Sequence, residues 1–197
     1  MPTIRLLDRE ADYTKLERFW YDIYCVGRGV LLDKADHDLK LLPDPLVGGS
    51  NAFVAEDVDG VCGSVVTTYS SDADIEEYER FYEMCRVPQH PHTTSITRKL
   101  MVSRRYRGSR LGVALACATF ELALSDGITH NFIDCNRPLH SFFQKLGFQN
   151  HSDWKVHADF GEVRVMLLRL AEDQEYFHRI GSPFARKHAS EANHVAL

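Results

Sequence analysis

Hydrophobic positions along this chain switch between a spacing of two and a spacing of three to four, the marks of strand and helix. Thr3–Leu7 opens as a short strand. Between Arg9 and Cys25 the residues Leu16, Phe19, Trp20, Ile23 and Tyr24 recur three and four apart, a helical stripe that Gly27 and Gly29 end. Asn51–Glu56 and Val61–Tyr69 read as strands joined by the turn Asp57-Val58-Asp59-Gly60, an antiparallel hairpin. A helix over Asp74–Cys85 and a strand over Ile96–Val102 follow, separated by the proline-marked connector Val87–His92, whose His90 and His92 are expected in solvent. Leu111–Ser125 carries Leu111, Ala114, Leu115, Ala118 and Leu122 on one stripe and further apolar residues elsewhere, which predicts a central helix with Gly127 as its C-cap. His130–Cys135 is a strand, and Pro138 opens a helix that Gly147 closes after Leu146. Phe148–His157 and Glu162–Leu170 form a second hairpin, and Glu172–Arg179 is a last short helix.

This order of elements predicts an α/β domain with a mixed sheet. A single domain is expected over residues 1–186, with residues 187–197 as a polar tail. Residues 28–50 match neither period, and a connection that long is more often a binding loop than a linker. Asp36-His37-Asp38 lies within it, but three adjacent residues cannot all face one ion from regular structure, so no metal site is expected.

Composition narrows the class. Of 197 residues 44% are hydrophobic and the net charge is only -5, which suits a folded core and excludes general disorder. There is no apolar run of about 18 residues, so stable membrane insertion is not expected. Met1–Arg5 lacks the layout of a secretory signal. The five cysteines are scattered without a C-x-x-C pair and read as reduced core residues of a cytoplasmic protein. No basic excess points to nucleic acid.

Charge is placed unevenly. Six acids and one base lie between Asp72 and Glu83, whereas six bases and no acid lie between Arg98 and Arg110. The second run surrounds a strand, a Gly/Arg-rich loop and a helix start. Open backbone N–H groups and the helix dipole make such a junction an anion site, to which Arg105, Arg107 and Arg110 would add charge. The spacing is not G-x-G-x-x-G, and no G-x-x-x-x-G-K-[ST] occurs, so dinucleotide and nucleoside-triphosphate sites are disfavoured.

Lys99-Leu100-Met101-Val102 followed by Tyr106-Arg107-Gly108-Ser109-Arg110-Leu111-Gly112 resembles the acyl-donor motif of the GNAT acyltransferases. Asp134-Cys135-Asn136 through Phe142-Phe143-Gln144-Lys145-Leu146-Gly147-Phe148 resembles that superfamily's second signature. Tyr21–Val26, Ala35-Asp36-His37, Asp44-Pro45-Leu46, Gly161-Glu162-Val163 with Met166, and Gly181–Phe184 are similar to the branch of long-chain N-acyl amino acid synthases, relatives of the acyl-homoserine lactone synthases.

The resemblance implies a three-layer domain with a central mixed, mostly antiparallel sheet flanked by helices. It implies an acyl donor bound along Leu100, Met101, Val102, Arg105, Arg107, Gly108, Ser109, Arg110, Leu111 and Gly112, with Cys135, Asn136 and Phe143 at the gap where acyl group and acceptor meet. Backbone N–H groups near Met101 and Val102 would polarise the thioester carbonyl. No bound cofactor is implied. The co-substrate would be the acyl-phosphopantetheine of an acyl carrier protein, or acyl-CoA.

Three departures shape the expectation. Arg110 replaces the first motif glycine, which crowds the pyrophosphate of coenzyme A and suits a single phosphate, and the basic run would then dock an acidic carrier protein. Phe143 stands where many members have a tyrosine that protonates the leaving thiolate, a role water can take. Thr94–Lys99 contains no acid, leaving Glu56, Asp134, water or a substrate group as general base. Cys135 and His140 are expected to be structural. The expected activity is transfer of a long-chain acyl group to the α-amine of an amino acid, possibly tyrosine, without a covalent enzyme intermediate. The alternatives are acetyl-CoA-dependent acetylation of a small amine, or an inactive acyl-thioester binder.

Overall fold

Seven strands pair into one sheet in the order β1-β2-β3-β4-β5-β7-β6: β1 Thr3–Leu6, β2 Ser50–Asp57, β3 Gly60–Tyr69, β4 Thr94–Val102, β5 His130–Cys135, β6 Gln149–His157 and β7 Gly161–Arg169. The structure is a computed structural model that describes residues 2–30 and 32–185. The expected tail and the domain boundary at 186 lie outside the described residues. All pairings are antiparallel except β4 with β5.

Alternation along the strands sorts the core onto two faces. Val54, Val66 and Met101 pack on α1 (Thr14–Tyr21) through Leu16, Phe19 and Trp20. Ile96, Phe132, Val165 and Leu167 pack on the same side against Tyr82 of α2 (Glu76–Tyr82). Their neighbours Ala55 and Val65 meet α3 (Leu111–Ser125), and Ile133, Met166 and Leu168 join Phe120 of α3, Phe143 of α4 (Arg137–Leu146) and Phe177 of α5 (Gln174–Ile180). Helices cover both faces, giving the three-layer α/β architecture expected.

Several boundaries differ from the sequence reading. The first helix starts at Thr14 rather than Arg9, because Asp8 and Asp12 take the N–H groups of Glu10 and Thr14 into local turns that compete with helix. It ends in a π-helical turn, Asp22–Val26. In α3 the buried residues are Leu111, Leu115, Ala116, Thr119, Phe120 and Ala123, while Ala114 of the expected stripe is exposed. The contact with the sheet selects this face: a Cβ on Gly63 of β3 would come within 3.0 Å of Leu115. His90 is not solvated; its ring nitrogens lie 2.8 Å from Thr94 Oγ1 and 3.2 Å from Glu79.

Candidate functional site

Strands β4 and β5 run side by side only from Thr94–Ile96 against His130–Phe132. Beyond Ile96 they diverge, and β5 continues paired to β7 alone. The β5-facing backbone groups of β4 from Thr97 to Val102 therefore have no sheet partner. In the middle of this stretch β4 bulges: Val65 and Val66 of β3 are opposed by Arg98 to Leu100, and Lys99 takes a left-handed φ of 52°. A hydrogen-bond chain pins the bulge, Trp20 Nε1 donating to Ser64 Oγ and Ser64 Oγ donating to the Lys99 carbonyl, each at 3.0 Å. In a regular strand Arg98 and Lys99 would point to opposite faces. Here both reach Asp44, on the side of α1 and α2.

The divergence opens a cavity of about 850 Å³, within the range usual for small-molecule sites. One wall is apolar, with Leu100 and Met101 of β4, Ile133 of β5, and Leu139 and Phe143 of α4. The other carries charged and aromatic side chains, Tyr24, Arg28, Lys34, Asp44, Tyr78 of α2, Arg98, Lys99 and Asp134.

Charges on the polar wall are organised. Arg98 donates from Nη1 to Asp44 Oδ2 at 2.5 Å and from Nη2 to Thr68 Oγ1 at 3.0 Å. Lys99 Nζ lies 3.4 Å from the same Asp44 oxygen and 3.8 Å from the centre of the Trp20 ring. Burial pushes the Asp44 carboxyl up, but Arg98 and Lys99 overcome this and hold it below its usual value. Burial drives the Lys99 ammonium down to about 8, against partial support from Asp44. Asp134 accepts a hydrogen bond from Tyr82, whose burial and proximity to that carboxylate keep the phenol protonated far above its ordinary range. Burial lifts the Tyr24 phenol to about 12.

Of the residues singled out by sequence, Leu100, Met101, Asp134, Cys135, Asn136 and Phe143 line this cavity. Glu56 does not; it sits on β2, ion-paired to Arg5 at 2.8 Å. Cys135 is buried with its thiol 3.4 Å from Met166 Sδ, and burial first, then Asp134, raises it to about 11, so it is packed rather than activated. His140 bonds Asn150 at 2.7 Å.

At the start of α3, Gly108 turns the chain with a φ of 80°, and Ser109 Oγ accepts from the Leu111 N–H at 3.2 Å. The following first-turn N–H groups, at Gly112 and Val113, have no acceptor one turn back in the helix. Arg104, Arg107 and Arg110 are exposed around them, with Val102 close by at the end of β4. Arg105 is not part of this cluster, because it is ion-paired to Asp57 and Asp59. The basic run is therefore not one face: Arg98 and Lys99 point into the cavity, and of the loop bases Arg104, Arg107 and Arg110 remain outside and unpaired to a carboxylate.

Sequence reasoning expected the acceptor pocket to use residues 28–50 and the helix from Asp74, the segments that hold Asp44, Tyr78 and Tyr82, but it named none of these three nor Tyr24 as a site residue, and it read Arg98 and Lys99 as surface. The quoted motif Asp44-Pro45-Leu46 was the available signal for Asp44.

Comparison with known proteins agrees with this geometry. The profile of the acetyltransferase (GNAT) family matches residues 19–148. No curated protein sequence matches the chain. Among solved structures, the CoA-dependent acyl-homoserine lactone synthase BjaI, with SAM and isopentyl-CoA, superposes with a TM-score of 0.71 at 16% identity, covering 93% of this chain and 91% of BjaI. FeeM, an N-acyl amino acid synthase from uncultured soil microbes, gives 0.68 at 12% identity over 94% and 97% of the two chains. The acyl-homoserine lactone synthase LasI gives 0.65 at 8% identity over 86% and 90%. The chain belongs to the acetyltransferase (GNAT) family, and it is an acyltransferase.

Proposed function

We propose that this protein transfers a long-chain acyl group from an acyl carrier protein thioester to the α-amine of an amino acid, tyrosine being the first acceptor to test. The observation that carries this reading is the single cavity with an apolar wall and a charged, aromatic wall meeting where β4 leaves β5. An acyl chain suits the first and a zwitterion the second. FeeM, an N-acyl amino acid synthase, shares the fold.

In this reading the thioester carbonyl lies at the unpaired edge of β4 near Met101 and Val102, whose N–H groups stabilise the developing oxyanion. The acceptor nitrogen attacks, the N–C bond forms and the C–S bond breaks. Asp134 takes the proton that the amine loses, and Tyr82 fixes that carboxylate by its hydrogen bond. The thiolate leaves on the phosphopantetheine arm and takes its proton from water. Holding both substrates in one cavity supplies much of the rate, so no covalent enzyme intermediate is required. Cys135, at about 11, is unsuited to form one. The phosphate of the arm suits the start of α3, between Gly108 and Gly112. Arg104, Arg107 and Arg110 suit the acidic surface of a carrier protein. BjaI is CoA-dependent, so coenzyme A is the competing donor.

The test is product analysis by mass spectrometry after incubating the protein with the common amino acids and lauroyl thioester on either carrier. A single N-lauroyl amino acid, formed faster from carrier protein, is expected. Acetyl transfer from coenzyme A alone, or retention of the thioester without turnover, would contradict the reading.

A further inference from the structure

On the polar wall of the cavity two cations have one carboxylate within ion-pair reach. Arg98 and Lys99 share Asp44, and the three side chains are 8%, 11% and 4% exposed. Arg98 is held at both Nη atoms, by Asp44 at 2.5 Å and Thr68 at 3.0 Å, with the Tyr78 ring at 5.6 Å, and its Nε is buried without a partner. Lys99 is held less closely. Its contact with Asp44 is long, at 3.4 Å, and a lysine ammonium carries three donors. The Trp20 ring covers another side of it, and the rest of the ammonium faces the cavity. A cation buried without a full partner is costly, and a second carboxylate would complete a two-cation, two-anion cluster.

The cavity's other lysine and arginine have contacts of their own, though only Lys34 is paired with a carboxylate. Lys34 is paired with Asp159 at 2.9 Å, and Arg28 lies over the Tyr24 ring at 5.2 Å. Glu17, the acid on α1 that feels Lys99, forms no ion pair with it. The bulge supports the same reading: the left-handed φ of Lys99 turns its side chain onto the cavity face instead of leaving it on the α3 side.

We propose that Lys99 binds the α-carboxylate of the acceptor and so makes the enzyme select α-amino acids over simple amines. The inference rests on the acceptor being an amino acid, and it adds which residue reads the carboxylate. Lys99 then grips one end of the zwitterion while Asp134 faces the other. Lys99 is a specificity-determining residue and takes no proton in the transfer.

Equilibrium binding of two product-like ligands tests this without turnover: N-lauroyl-tyrosine, which carries the carboxylate, and N-lauroyl-tyramine, which does not. The intact protein should bind the acid about 100-fold more tightly. Lys99→Met, which keeps an apolar stem against Trp20, should bring the acid to within about threefold of the tyramine, and Lys99→Arg should restore part of the preference. Equal affinity for the two ligands in the intact protein would overturn the proposal while leaving the acyl-transfer reading in place. So would a preference that survives in Lys99→Met. If neither ligand binds, the amino acid reading itself fails, and this assignment with it.

Discussion

Tyr82, wholly buried on α2, donates its phenolic hydrogen bond to Asp134 near the end of β5. The bond joins a helix to the strand beside the gap and holds the one carboxylate on β5 that faces the cavity. Asp134→Asn should lower turnover by about 10² or more, as loss of a general base does. Tyr82→Phe keeps the ring stacked on Phe132 and should lower turnover by about tenfold, the worth of a hydrogen bond to a charged group. Steady-state kinetics with the donor saturating checks both. Equal turnover in Asp134→Asn and the intact enzyme would remove Asp134 from the chemistry.

Phe143 is the second residue to probe. It forms a wall of the large cavity and also of a small apolar cavity of about 20 Å³ lined in part by Ala116, Phe120 and Leu168, and Thr97 and Leu100 line both. Trimming Phe143 should join the two spaces and shift the preferred donor to a longer chain. Phe143→Leu is the gentler change; Phe143→Ala removes a buried ring and costs about 3–5 kcal/mol of stability. Turnover across a donor chain-length series reads the shift.

The loop before α3 predicts a salt effect. Replacing Arg104, Arg107 and Arg110 together by alanine should raise the KM for a carrier-protein donor by about tenfold or more and flatten its dependence on ionic strength. Arg105→Ala should leave that KM unchanged, because its guanidinium is held by Asp57 and Asp59. A salt-independent rate in the intact enzyme would argue against electrostatic docking.

Much of the scaffold was legible in the sequence, and much of the polar wall was not. The bounds of α3 and β5 follow from apolar runs closed by Gly127 and by Asn136-Arg137-Pro138, signals local to the chain. Asp44 and Arg98 are 54 residues apart, and Tyr82 and Asp134 are 52 apart, so no local period links either pair. The bulge at Lys99 misled most. The six bases between Arg98 and Arg110, with no acid among them, read as one docking face, but strand alternation sets Arg98 on the inward face with Ile96, and the left-handed turn at Lys99 brings that side chain to the same side. Glu56 lies away from the gap because the register of β1 on β2 sets it beside the strand carrying Arg5.

Two histidines should set the acid limb of stability. Burial depresses both His130 and His151 below the ordinary histidine value of 6.5. Below that value the unfolded chain takes up protons that the folded protein refuses, so stability falls as pH drops through about 6.5. Thermal unfolding between pH 7.5 and 5 should show Tm declining, and His151→Gln should flatten the decline. An unchanged slope in that variant would assign the acid loss to other groups.

The most direct measurement of the central claim is kcat/KM as a function of donor chain length, from acetyl to lauroyl, on carrier protein and on coenzyme A. Thiol release in the presence of the common amino acids provides the rate. The expected result is a rise toward the long chains, with the carrier-protein series above the coenzyme A series. A maximum at acetyl-CoA would contradict the assignment of the cavity to a fatty acyl chain.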